Sequence, residues 1–251
     1  MSSLRSAEAD KAQVARAAGL VMAMFVISRA LGLLREMVIS HQFGTGGDLD
    51  AYLAAFRLPE ILFQIVAGGA LASAFIPTFS AYWAQGREKG AWRLASAIIN
   101  LVLLLTTALG ILAAILAPWL VRTIIAPGFG PARQALTTDL MRLLMITPVI
   151  FGVSGVVMGI LNARQHFLLP ALAPICYNLG IMAGAIFLAP TMGVQGLAVG
   201  VVAGALGHLL IQMPGLARQG FRYSATLGLQ SPGVHEVGRL MLPRVLGLAA
   251  V

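Results

Sequence analysis

Arg29, Arg35 and Glu36 interrupt an otherwise apolar stretch, and Asp50, Arg57 and Glu60 follow at the start of the next. Arg29 lies 12 residues into its stretch, about 18 Å along a helix and near the middle of a bilayer. An arginine at that depth costs about 2.5–3.5 kcal/mol to insert, so it faces a bundle interior or a watery cavity. Arg29 and Glu36 are seven residues apart and share a helical face, whereas Arg35 points about 120° away. A guanidinium stays charged and grips phosphate oxygens in bidentate fashion, so a cationic cavity at mid-membrane suits a phosphate or pyrophosphate. The structural alternative is that Arg35 snorkels outward, Glu60 pairs with Arg57, and Asp139 pairs with Arg142 one turn away.

Other chemistry is thinly represented. The chain has no Gly-x-x-x-x-Gly-Lys-Ser/Thr phosphate loop, no His-Glu-x-x-His and no Gly-x-Ser-x-Gly. His41, His166, His208 and His235 are dispersed and read as interface or loop residues, and the single Cys176 as a small buried hydrophobe. Asn100, Asn162, Asn178, Gln195 and Gln212 read as interhelical hydrogen-bond partners. No metal site, cofactor or catalytic residue is expected, and the chain does not read as an enzyme.

The elements that hold these charges are membrane helices. Of 251 residues 59% are hydrophobic and only 10% charged, against about 25% charged in soluble domains. A water-soluble fold of this length has too little interior for that much apolar surface. Six stretches reach the roughly 20 residues needed to cross a bilayer: 17–43, 59–83, 94–116, 140–161, 170–189 and 194–216. A seventh begins near Val237 and meets the end of the chain at Val251, so the sequence reads as the first part of a longer protein. The apolar runs lack the alternation of barrel strands. The fold class is therefore all-α and polytopic: one six-helix lobe plus the start of a seventh helix. Its boundaries are a cytoplasmic tail over 1–16, the lobe over 17–216, a cytoplasmic loop over 217–236 and the seventh helix over 237–251. The polar tail does not read as a cleavable signal sequence.

The net charge of +8 arises from lysines and arginines scattered between apolar runs, a pattern that sets topology and argues against nucleic acid as a partner. Arg5, Lys11, Arg16, Arg87, Lys89, Arg93, Arg164, Arg218 and Arg222 fall on one side, Arg122 and Arg133 on the other, which puts the N-terminus in the cytoplasm. Trp83, Trp92 and Trp119 stand at span ends as expected interfacial anchors. Gly196, Gly200 and Gly204 form a row for close helix approach, or a sliding surface in a moving bundle, and Gly155 with Gly159 repeats the spacing. Pro59, Pro77, Pro148 and Pro174 predict kinks.

The stretch Ser28-Arg29-Ala30-Leu31-Gly32-Leu33-Leu34-Arg35-Glu36 resembles the first-helix signature of the MurJ/MviN lipid II flippases, within the MOP superfamily. Phe43-Gly44 to Asp50-Ala51 is similar to that family's first outer loop, Ala55-Phe56-Arg57-Leu58-Pro59 to the start of its second helix, and Gly69-Ala70-Leu71-Ala72-Ser73-Ala74-Phe75-Ile76-Pro77 to the middle of that helix. Ala126-Pro127-Gly128-Phe129 and Ile160-Leu161-Asn162-Ala163 fit later segments. The resemblance implies fourteen helices in two pseudo-symmetric lobes around a cationic cavity, with a lipid groove. It implies passage of an undecaprenyl-pyrophosphate-linked peptidoglycan precursor from the inner to the outer leaflet of the bacterial cytoplasmic membrane by alternating access. Arg29, Arg35 and Arg57 then fall on substrate-binding positions, Glu36 and Asp50 on gating or charge-pairing positions, and the partners are that lipid-linked substrate, membrane lipids and cell-wall synthesis enzymes. Two departures stand out: Phe63 and Gln64 replace an Arg-Arg pair, and Gly68 replaces a Glu. They keep open another MOP-superfamily exporter of lipid-linked polysaccharide or drugs, or a non-transporting envelope scaffold.

Overall fold

The computed structural model describes residues 2–44, 46–66 and 70–249, with the side chains of 2–18, 20–21, 65–73, 242 and 244–249 outside the description. Those described residues form eleven α-helices and two π-helical turns. Helix α1 (Ser2–Phe43) runs unbroken from the polar tail through the first apolar stretch. Helices α2 (Gly47–Val66) and α3 (Ala70–Ala84) follow, then α4 (Glu88–Leu120) with a π turn at Val121–Ile125. The second half comprises α5 (Pro131–Leu144), α6 (Ile146–Ala163), α7 (Leu168–Ala183) with a π turn at Gly184–Leu188, α8 (Ala189–Met192), α9 (Val194–Leu210), α10 (Met213–Arg218) and α11 (Pro232–Ala249).

Among the described residues, four helical stretches are long and apolar enough to cross a membrane: Glu88–Ile125, Pro131–Ala163, Leu168–Met192 and Val194–Arg218. Each overlaps an expected span. The second expected span departs most, because its helix begins at Gly47 rather than Pro59. Asp48, Asp50, Arg57 and Glu60 dilute the hydropathy of that first half, yet nothing in it breaks a helix, and Pro59 is accommodated inside. Asp50 therefore occupies the first turn of α2 rather than a loop, where a carboxylate favours the positive end of the helix dipole. At the far end α11 starts at Pro232, which shortens the expected loop.

Proline chemistry explains the irregular turns. Pro148 has no N–H, so the Leu144 carbonyl loses its helical partner, and α5 gives way to α6 at Met145. The Thr147 hydroxyl donates to that carbonyl at 2.8 Å, so the span continues without an orphaned acceptor. Ala126 precedes Pro127 and leaves the helical region (φ −143°, ψ 55°), after its N–H closes a π-type bond to Val121 O at 2.9 Å.

Two apolar clusters hold the bundle. One gathers Phe75, Phe79, Trp92, Ile98, Ile160 and Leu161 from α3, α4 and α6; the other joins α1, α2, α4, α5, α7 and α9 around Tyr52, Met141, Leu144, Leu197 and Val201. Trp92 corrects the expectation of three interfacial anchors. It is buried among Phe79, Trp83 and Phe221, while Trp83 carries the Arg164 guanidinium 3.8 Å above its ring. Trp119 remains exposed, as an anchor should. Cys176 is only half-buried.

The glycine row does what its spacing predicts, against partners that the spacing did not reveal. A Cβ on Gly200 would stand 2.6 Å from Gly184 Cα, and one on Gly204 2.5 Å from the Tyr177 carbonyl oxygen. Gly180 of α7 and Gly184 at the start of the π turn thus meet Gly196, Gly200 and Gly204 of α9 backbone to backbone. Gly159 differs: its open space receives the Phe75 ring rather than a helix backbone.

Candidate functional site

The exposed faces of the bundle are of two kinds. Helix α4 shows Leu104, Leu105, Ile111, Leu112, Ile115 and Trp119, a wholly apolar strip suited to acyl chains. Helix α2 instead exposes Leu53, Arg57, Glu60, Ile61 and Gln64 at helical spacing, while Ala51, Tyr52, Ala54 and Ala55 are buried behind them. Helix α1 exposes Phe25, Arg29, Leu33 and Glu36 along one stripe, so Arg29 and Glu36 share a face as their spacing predicts. Charged stripes on membrane-depth helices belong against water or a partner, not lipid.

Arg29 is exposed, with its guanidinium 5.2 Å from the Phe25 ring centroid one turn earlier. That cation–π contact partly compensates the charge, and no hydrogen bond or ion pair takes up the guanidinium donors among the described residues. Arg35 is more constrained. Its Nε donates to Glu36 Oε1 at 3.2 Å, a second nitrogen reaches the same oxygen, and Nη1 donates to Asn178 Oδ1 of α7 at 3.1 Å. Asn178 is itself oriented by its amide donating to Pro174 O at 3.0 Å. Arg35 therefore does not snorkel outward: it is turned inward, 27% exposed, and ties α1 to α7. Spacing alone could not have found Asn178, which lies 143 positions along the chain.

That tie gives a test. A hydrogen bond to a charged group contributes about 1.5–3 kcal/mol, so Asn178→Ala should lower stability by about that much in thermal unfolding. The double variant with Arg35→Ala should lose less than the sum of the singles. Strict additivity would mean that the bond does not couple the helices.

Arg57 is exposed, and no ion pair involving it forms among the described residues. Gln64, rather than Arg57, reaches Glu60, with Nε2 3.5 Å from Oε1. Asp50 faces Arg133 at 3.8 Å, and the Arg133 guanidinium also covers Phe129 and presses on Gly47, where a Cβ would collide with it. This pair is half exposed, a class worth about 0–1 kcal/mol. Asp139 and Arg142 stand 3.7 Å apart as their spacing predicts.

The replaced positions have a structural account. Phe63 sets its ring edge-on to Phe151 of α6 at 5.2 Å, and Phe151 packs in turn on Tyr177 and His208. An aromatic contact thus occupies a place where a second cation would project from α2. Gly68 and Gly69 lie outside the described residues, as do the side chains of 70–73. The sequence placed His208 only as an interface or loop residue, without a partner. It is buried, its Nδ1 lies 2.8 Å from Ser154 Oγ, and Gln212 donates to the same hydroxyl at 2.7 Å, which locks α9 to α6.

Comparison with known proteins converges on one family. The family model described as lipid II flippase MurJ matches residues 39–251, beginning just beyond Arg29, Arg35 and Glu36. The probable lipid II flippase MurJ of Vibrio cholerae serotype O1 is 29% identical over 244 residues, covering 92% of this chain and 46% of the relative. The lipid II flippase MurJ of Burkholderia cenocepacia is 29% identical over 232 residues, covering 89% and 45%. Among solved structures, a lipid II flippase MurJ in an inward closed conformation aligns with a TM-score of 0.73 at 25% identity, over 91% of this chain and 47% of that one. A MOP superfamily transporter from Pyrococcus furiosus aligns with a TM-score of 0.74 at 18% identity, which speaks for the fold alone. The chain spans about half the length of the curated relatives it matches. With apolar helices able to cross a membrane several times, and a family match over most of its length, this chain belongs to the lipid II flippase MurJ family.

Proposed function

We propose that the chain forms the first lobe of a flippase that carries a lipid-linked pyrophosphate, lipid II, from the inner to the outer leaflet of a bacterial cytoplasmic membrane. The observation that carries this reading is the contrast between the charged exposed stripes of α1 and α2 and the apolar strip of α4. A lobe that met lipid on every exposed side would have no use for Arg29, Arg57, Glu60 and Gln64 on open faces. In this reading α1, α2 with α3, α4, α5 with α6, α7 with α8, and α9 with α10 are six spans, α11 opens the seventh, and the N-terminus is cytoplasmic.

Arg29, Arg35 and Arg57 take the substrate roles. Arg29 and Arg57, whose donors are unspent among the described residues, meet the pyrophosphate, and Arg35 is held by Glu36 and Asn178 at a fixed orientation beside them. Glu36 offers Arg35 an internal counter-charge when no substrate is present, and Asp50 with Arg133 forms a charge pair at the first turn of α2 that conformational change can break. Alternating access needs a second half-cavity, so one lobe binds part of the head group and cannot move it alone.

The experiment is complementation of a bacterium depleted of its own lipid II flippase by the full-length gene, with surface-exposed lipid II quantified. Rescue with restored surface lipid II is the expected result. Failure by protein that is well inserted would overturn the substrate assignment and favour another lipid-linked cargo or a scaffold.

A further inference from the structure

A cavity of about 460 Å3 opens on α4 and α5, elements that carry none of the three substrate arginines Arg29, Arg35 and Arg57. Its walls include Pro118, Arg122, Gln134, Thr138, Asp139 and Arg142. The polar walls are fixed by their own bonds: Gln134 donates its amide to Ala126 O at 3.1 Å, and the Thr138 hydroxyl donates to Gln134 O at 2.8 Å. Arg142 donates Nε to Ala114 O of α4 at 3.2 Å and keeps Asp139 at 3.7 Å. Arg122 stands on the π turn, exposed, and no ion pair to it forms among the described residues. Two guanidiniums against one carboxylate leave the cavity with a net positive charge.

The surface beside it is apolar. Along α4, Ile111, Leu112, Ile115 and Trp119 are exposed and lead up to Pro118 and Arg122 at the cavity rim. An exposed tryptophan marks the level of lipid headgroups, and the strip before it marks the level of acyl chains. A molecule that fits both parts has an anionic head and hydrocarbon tails. The volume lies within the roughly 300–1,000 Å3 of small-molecule sites, ample for a phosphodiester head.

We propose that this cavity binds the phosphodiester headgroup of an anionic phospholipid, with Arg122 and Arg142 on the phosphate and the acyl chains along α4. A zwitterionic lipid presents the same phosphate but brings an ammonium group into a cavity already in cationic excess, and is disfavoured. The site depends only on these helices lying in a bilayer, so it stands or falls separately from the transport reading.

The test uses the full-length protein in detergent, incubated with equal amounts of phosphatidylglycerol and phosphatidylcholine of matched chains, with retained lipids counted by native mass spectrometry. Wild type should hold one phosphatidylglycerol that Arg122→Ala holds about tenfold more weakly, the loss of one charge-assisted contact. Arg142→Ala should weaken it similarly, but it also frees the Ala114 carbonyl, so Arg122→Ala is the decisive variant. Arg218→Ala, an exposed arginine outside the cavity, should retain lipid as wild type does. Inorganic phosphate at millimolar concentration should not displace the lipid. Equal retention by wild type and Arg122→Ala, equal retention of the two lipids, displacement by inorganic phosphate, or the same loss in Arg218→Ala would each overturn the proposal.

Discussion

Arg29→Ala in the full-length protein is expected to abolish transport while inserted protein stays at the wild-type level. Among the described residues Arg29 bonds no neighbouring helix, and its guanidinium meets the Phe25 ring one turn back on its own helix. Truncation therefore breaks no tertiary bond, and it removes a side chain whose insertion costs about 2.5–3.5 kcal/mol. What disappears is a permanent charge on an exposed stripe, available to a pyrophosphate. Arg29→Lys separates charge from geometry, since an ammonium keeps the attraction but not the paired donors. It should retain partial activity, reduced about 10- to 100-fold if one to two charge-assisted contacts are lost. Arg35→Ala should instead lower both transport and stability, because it also releases Asn178. Surface-exposed lipid II per inserted molecule is the readout. Wild-type transport by Arg29→Ala would remove the cavity from the mechanism.

The contrast between these two arginines marks where the sequence stops being informative. Helical periodicity puts Arg29 and Glu36 on one face because residues seven apart lie nearly two turns apart on any α-helix, whatever it packs against. Whether a charge on that helix is spent depends on what the neighbouring helix brings, and Asn178 arrives from α7 through tertiary packing alone. Asp139 with Arg142 was legible because both lie on one helix; Asp50 with Arg133 was not, because they lie on two. Trp92 failed for a related reason. A tryptophan at a span end looks like an anchor until the aromatic side chains of α3 and the 219–231 connection close over it. That connection is tied down by Asn100, whose amide donates to Ser224 O and Thr226 O. The helix start at Gly47 was hidden by averaging, since four charges in twenty residues lower hydropathy without lowering helicity.

The glycine row supplies the second large effect, and its sign is set by competition. Replacing a helical Gly by Ala ordinarily stabilises by about 1 kcal/mol through backbone entropy. At Gly200 the added Cβ would stand 2.6 Å from Gly184 Cα and 2.9 Å from the Gly180 carbonyl oxygen. Both are backbone atoms, so no rotamer can yield; α7 and α9 must separate along their length. Overpacking of this kind costs about 1–3 kcal/mol, and here a whole rigid interface shares the displacement, so Gly200→Ala should lose stability on balance. Gly200→Leu should fail to accumulate as folded protein at all. Gly207 sits on the same helix, yet its nearest neighbour would be Cys176 Cβ at 3.6 Å, ordinary contact. Gly207→Ala should therefore be neutral or stabilise by up to about 1 kcal/mol. Thermal unfolding followed by size-exclusion chromatography distinguishes the two, and opposite signs are the point of the comparison. Pairing Gly184→Ala with Gly200→Ala should cost less than the sum of the singles, because the first substitution already parts the helices that the second would push. If Gly200→Ala and Gly207→Ala shift the unfolding temperature alike, the α7–α9 backbone contact is not what holds these helices together.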